Sequence, residues 1–279
     1  MRFIPCLFLA VALSTQITAQ QPASLDSKVS AILARMNGND PHTREAAFTQ
    51  MMALVREGQK RTAGSGDAAA LVGFFKQHPE QADRIKLGLI QLLKADNADF
   101  QGEKTPPGTY AEHDTEHYAE VVNVVSSLND ERAVPALVDA MTTGGMAQQS
   151  LLKYGDKAIG PVLAQLKSSD DMVRSSALNM GIALLEQRND PASNAQIKEL
   201  IRSSLADESM IVRRTAVQQI GCLEDRQNFV PLLKEIAKTD PQTLPGKALD
   251  SGGGNEFYPV RYDARRVLRD IQNNEGCRR

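Results

Sequence analysis

The chain has no tryptophan, and aromatic residues occupy only 5% of its 279 positions. An interior short of large rings has to be filled by Ala, Leu, Val and Met, which favours closely packed helices over a sandwich built on aromatic side chains. A surplus of either charge is also missing: 32 Lys and Arg face 34 Asp and Glu. Nucleic-acid binders ordinarily carry a basic excess or stripe, so no nucleic-acid partner is expected. Long apolar runs are scarce, the longest lying at the amino end, so no membrane span is expected in the chain beyond it. No stretch alternates apolar and polar residues as an antiparallel strand would. The G-x-S-x-G, P-loop and G-x-G-x-x-G patterns are absent too, which leaves no ready nucleophile elbow or phosphate cradle.

The amino end has the order of a secretory signal peptide. Arg2 supplies the positive charge, Phe3 to Leu13 the apolar core, and Ala19 the small residue before a cleavage point. Residues 1–19 are therefore expected to be removed, giving an exported protein, periplasmic or extracellular. A membrane anchor is the competing reading, but the run is much shorter than the roughly 20 apolar residues that a span needs.

Apolar residues recur at three- and four-residue spacing almost everywhere else, so the fold class is all-α. The pattern predicts helices over 25–36, 42–57, 67–78, 82–95, 115–128, 133–141, 146–154, 158–166, 172–186, 195–205, 210–223, 229–238 and 260–271. Asn39-Asp40-Pro41, Ser169-Asp170-Asp171, Asn189-Asp190-Pro191 and Asp207-Glu208-Ser209 read as helix starts, because their side-chain oxygens can accept from unpaired first-turn N–H groups. Two breaks exceed an ordinary connection. Residues 98–113, with Pro106, Pro107 and Gly108, and residues 241–259, with Pro245 and Gly252 to Gly254, read as loop insertions. The domain plan is a signal peptide at 1–19, N-terminal helical pairs at 20–97, the first insertion, repeats over 114–272 that contain the second, and a tail at 273–279.

The clearest regularity is internal repetition. Val173, Arg174 and Ala177 recur in register as Val212, Arg213 and Ala216, and again as Val260, Arg261 and Ala264; Arg44 and Ala47 give a weaker copy. Val173 and Val212 lie 39 residues apart, and a period of about 40 means stacked helical units. The other half of the unit recurs around Pro135, Pro161 and Pro231, each following an aspartate (Asp130, Asp156, Asp225) and preceding a leucine (Leu137, Leu163, Leu233). The valines and alanines share one helix face, where a small side chain lets two backbones approach closely.

These units resemble HEAT repeats, of the type in HEAT-like proteins related to phycobilin lyases, over 131–271 and more weakly over 40–55. The resemblance implies a right-handed α-solenoid of stacked antiparallel helix pairs, and a non-catalytic protein-binding scaffold using a concave face built from one helix of each pair. By analogy it also implies a lyase-like ligand-handling protein, which export disfavours because pigment attachment is cytosolic. No cofactor is expected, and the partner is expected to be a protein of unassigned identity.

Three sets of residues carry two readings each. The repeated arginines are either a basic column facing an acidic partner, or structural groups pairing with acids and carbonyls at neighbouring turns such as Asp170, Asp171 and Asp207; recurrence with the scaffold motif favours the second. Cys222 and Cys277 either form a disulfide stapling the tail to the preceding repeat, or Cys222 packs as a small apolar residue beside an unpaired Cys277. His113, Glu116 and His117 match H-x-x-E-H, in which two histidines one turn apart hold zinc and the glutamate acts on bound water. A metal-dependent hydrolase is the alternative function on that motif. Against it, Asp114 and Thr115 read as a helix start that leaves His113 outside the helix. His42 and His78 read as exposed.

Overall fold

The computed structural model describes residues 24–57, 66–102, 112–142, 145–245 and 256–277; the expected signal segment and Gly252 to Gly254 lie outside them. Among the described residues, thirteen α-helices pack against one another, an arrangement compatible with a helical-repeat solenoid. They are α1 (Leu25–Met36), α2 (Pro41–Arg56), α3 (Asp67–Gln77), α4 (Pro79–Gly102), α5 (Glu112–Ser127), α6 (Val134–Asp139) and α7 (Gly145–Tyr154). The series continues with α8 (Asp156–Ala164), α9 (Asp171–Arg188), α10 (Pro191–Leu205), α11 (Met210–Ile220), α12 (Val230–Thr239) and α13 (Pro259–Gln272). Short 3-10 turns at Glu131–Ala133, Gln165–Lys167 and Arg226–Phe229 lead into or out of them.

Side-chain capping places the helix starts. Asp40 accepts from the Thr43 N–H at 2.9 Å, Asp170 from Met172 at 2.8 Å, Asp190 from Ser193 at 2.9 Å and Ser209 from Ile211 at 3.1 Å. Each satisfies a first-turn donor that would otherwise lack a partner. Asn189 closes α9 in the left-handed region at φ 48°, a conformation asparagine tolerates better than most residues.

Helices touch mainly the next helix along the chain and the one after that. α5, α7, α9, α11 and α13 form one continuous row, while α4, α6 and α8 follow one another beside it. The N-terminal helices join the same row through contacts of α3 and α4 with α5. The helices bury their apolar stripes against one another, which is compatible with a repeat architecture. Ala47, Ala177, Ala216 and Ala264 are fully buried, and Val212 and Val260 nearly so. Val173 is only partly buried at the edge of the core. At the α8–α9 crossing a Cβ on Gly181 would stand 2.6 Å from the Leu163 Cδ2, so the two helices meet where a side chain is missing.

Three boundaries differ from the sequence expectation. α4 runs through Asn97 to Gly102, taking the first part of the expected 98–113 insertion into a helix. Asn97 is buried there, donating to the Ala136 carbonyl at 2.9 Å and accepting from the Tyr118 hydroxyl at 2.5 Å, so distant partners supply what a turn would have. α5 begins at Glu112, which puts His113 inside the helix rather than before it. The 241–259 insertion opens and closes as a two-rung antiparallel ladder, β1 (Leu244–Pro245) with β2 (Glu256–Phe257), pairing Leu244 with Phe257. His78 is half-buried, its ring 4.7 Å from that of Phe74, and His42 is exposed.

Ala216→Leu should overpack the seam between α11 and its neighbours and lower stability by about 1–3 kcal/mol, read as a fall in thermal midpoint with the helical circular dichroism of the folded state retained.

Candidate functional site

The repeated arginines converge on one geometry. Arg174 grips both oxygens of Asp207, with Nε to Oδ2 at 2.9 Å and Nη2 to Oδ1 at 2.8 Å. Its Nη1 donates to the carbonyls of Ser168 and Ser169, six and five residues back, at 2.9 and 3.2 Å. Arg213 repeats this one unit later. Its Nε and Nη2 hold Asp240 at 2.8 and 3.2 Å, and its Nη1 holds the carbonyls of Asp207 and Glu208 at 2.9 and 2.8 Å. Arg44 does the same near the amino end, with Asp96 at 3.1 Å, Asp99 as second carboxylate, and the Gly38 and Asn39 carbonyls at 3.2 and 3.1 Å. All three side chains are largely buried.

The clamps are linked. Asp207 gives its carboxylate to Arg174 and its carbonyl to Arg213; Asp240 gives its carboxylate to Arg213 and its carbonyl to Arg261, whose Nε lies 2.6 Å away. Arg174, Asp207, Arg213, Asp240 and Arg261 thus form one polar chain across α9, α11 and α13. Of the acids named from sequence, Asp207 is a clamp. Asp170 caps α9 instead, and Asp171 accepts from the Ser209 hydroxyl at 2.6 Å. Asp240, Asp96 and Asp99 were not singled out; the common signal is an aspartate at or near the end of a later helix, at a separation from its arginine that varies too widely to stand out.

The α5 motif divides. Glu116 is exposed, and the His113 side chain lies outside the described residues. His117 turns inward, its Nε2 at 3.3 Å from Asp96 Oδ2 and its ring edge-on to Phe48 at 5.4 Å. Neither of those two polar atoms makes a hydrogen bond. One turn along, the Glu120 carboxyl hydrogen-bonds Asp67 and is held above its ordinary value by that bond and by burial, while Arg56 Nε holds Asp67 at 2.7 Å. Among the described residues no three His, Cys, Asp or Glu side chains are arranged to hold a metal ion.

Comparison with family models, curated proteins and solved structures gives no match. The residues themselves therefore carry the argument. Cys222 and Cys277 are joined by a disulfide with Cα atoms 4.6 Å apart, tying the tail to the end of α11. Arg226 reinforces that tie, donating to the Glu275 carbonyl at 2.6 Å and the Gly221 carbonyl at 3.0 Å. Beside the disulfide lies a cleft of about 620 Å³ with mostly polar walls, among them Asn189, Asn194, Glu224 and the Lys198–Asp225 ion pair at 2.5 Å. No described helix is long and apolar enough to cross a membrane.

Burial pushes the Asp207 carboxyl upward, but hydrogen bonds from Arg174 and the Ser209 N–H, with the charges of Arg174 and Arg213, outweigh it and hold the group below its usual value. A carboxylate depressed in the folded state adds stability above its unfolded pKa, about 3.9, and that stability is lost as pH falls through the folded value. Asp207→Asn should therefore be less stable than the parent protein at neutral pH, and the two should converge as pH falls through the folded value. Urea melts across that range check it.

Proposed function

We propose that this chain is an exported, non-catalytic scaffold of HEAT-like repeats that binds a protein partner along the concave face of a right-handed solenoid of antiparallel helix pairs. The observation that carries the reading is the repeated arginine clamp: one buried geometry recurs at Arg174 and Arg213 in adjacent units, holding successive helices in one register. Such a row leaves a long surface on α9, α11 and α13 whose outward residues the scaffold does not constrain. Asn179 and Gln219 meet across it at 2.7 Å, with Gln218 exposed beside them. Export rests on the charge, apolar core and small residue of positions 1–19.

The test places a photo-crosslinking side chain at Asn179 or Gln218 on that row, and at Glu199 or Ser203 on α10 behind it, in cells that make the protein. The scaffold reading expects one protein to be captured from the first pair of positions and not from the second. Equal capture from both, or none from either, would overturn it.

A second reading, a metal-dependent hydrolase through His113, Glu116 and His117, draws support from one observation: α5 starts at Glu112, so both histidines lie on one helix four residues apart. On the scaffold reading, purified protein holds no stoichiometric zinc by elemental analysis, and His117→Ala changes stability without changing metal content. Zinc at about one equivalent that is lost in His117→Ala would favour the hydrolase instead.

A further inference from the structure

The polar chain of arginines and aspartates ends in an incomplete clamp. Arg44, Arg174 and Arg213 each direct Nε and Nη2 at a carboxylate belonging to a later turn. Arg261 holds the same motif position on α13, but its Nε goes to the Asp240 carbonyl, and its guanidinium lies 3.9 Å above the Tyr258 ring. Among the described residues no carboxylate reaches it.

Arg261 is not alone on that surface. Arg265 and Arg269 follow at four-residue spacing, which places all three along one side of α13. Arg265 donates to the Ala237 carbonyl at 3.1 Å, and neither it nor Arg269 forms an ion pair among the described residues. The aspartate of this helix that is buried, Asp263, is held by Arg214 at 2.7 Å and Arg266 at 3.5 Å instead. Lys234 and Lys238 on α12 are exposed and likewise without ion pairs there. In a chain of formal net charge −2 this is a local cationic excess.

Apolar side chains adjoin it. Tyr262 is 50% exposed, Phe257 43% and Leu244 40%; the Phe257 and Tyr262 rings lie 5.7 Å apart, and Leu244 faces Phe257 across the two-rung ladder. This face presents large apolar groups beside open guanidinium groups, the composition of an interface core with a charged rim.

We infer that this face of α13, with Leu244 and Phe257, is a docking site for an acidic segment of a partner protein. One carboxylate meets the terminal guanidinium nitrogens of Arg261, further acids meet Arg265 and Arg269, and an apolar side chain packs on Phe257 and Tyr262. The inference rests on the scaffold reading and adds to it the chemistry of the partner. The internal clamps, which hold carboxylates, and the exposed apolar side chains of Leu244, Phe257 and Tyr262 favour a peptide over a polyphosphate or a lipid surface.

The probe is a synthetic helical peptide with three glutamates at four-residue spacing and two leucines beside them, followed by fluorescence anisotropy at low salt. Binding should weaken about tenfold in Arg265→Glu/Arg269→Glu, as expected for loss and reversal of charge at an interface rim, and at least as much in Arg261→Ala. Phe257→Ser should weaken it too, Lys28→Glu on distant α1 should leave it unchanged, and every variant except Arg261→Ala, which also loses the Asp240 contact, should keep the parent helical melt. Failure of the peptide to bind the parent protein, or binding indifferent to the arginine and phenylalanine variants, overturns the inference. So does the case in which the arginine variants abolish binding of a DNA duplex, or of vesicles of equal parts phosphatidylcholine and phosphatidylserine, while the peptide stays unbound. Crosslinking from Asn179 and Gln218 reads the scaffold separately: capture there with no peptide binding rejects the docking site alone, and loss of both rejects the scaffold reading with it.

Discussion

A guanidinium buried between two helical units constrains this structure more than any single apolar contact. Hydrophobic stacking holds the pairs together, but apolar surfaces slide; it does not by itself say which turn of one unit sits against which turn of the next. Arg213 does. Its planar donors reach back to the Asp207 and Glu208 carbonyls and forward to both oxygens of Asp240, so a shift of either helix by a residue leaves buried donors and acceptors without partners. Taking both charges out of water is costly, and a well-packed apolar pair of similar volume can be as stable. The clamp's contribution is therefore register rather than net stability, which explains why it recurs with the valine and alanine of the scaffold and not with any variable surface residue.

The same constraint organises the two ends. Near the amino end, Arg44 takes Asp96 and Asp99 from α4, and this draws α4 past the point where its sequence turns polar. Asp96 in turn faces His117, so the histidine that most suggested metal chemistry sits against the oxygen of a clamp residue. Near the carboxyl end the disulfide and Arg226 fasten the tail against α11, yet the clamp series reaches Arg261 without a carboxylate to complete it. Arg44, Arg174 and Arg213 each hold a carboxylate; Arg261 holds none among the described residues.

Much of this was legible in the sequence because it follows from local chemistry. The capping aspartates and serine set helix starts within their own turn, and α1 begins and ends where its periodicity does. The Val-Arg-x-x-Ala register marked the helices of the stacked row without any three-dimensional information. What escaped notice depends on partners distant in sequence. Asn97 is helical because Ala136 and Tyr118 complete its hydrogen bonds, and nothing near position 97 reports that. Asp240 follows Arg213 by 27 residues, whereas Asp207 follows Arg174 by 33, so no fixed period exposes the pairing. The Leu244–Phe257 ladder is two rungs long, too short for any alternation to appear. In the α5 motif, spacing suggested a shared helix face and the polar residues at 114–115 argued otherwise; the helix extends over both.

The most direct test is a double-mutant cycle on Arg213 and Asp240, measured by denaturant unfolding of the parent protein, Arg213→Met, Asp240→Ala and the combined variant. If a buried clamp sets the register, each single change strands its partner and costs about 3–5 kcal/mol, while the double variant recovers a large part of the loss, giving a coupling of about 2 kcal/mol or more. Losses that add to within about 0.5 kcal/mol would show two independent surface residues and contradict the account.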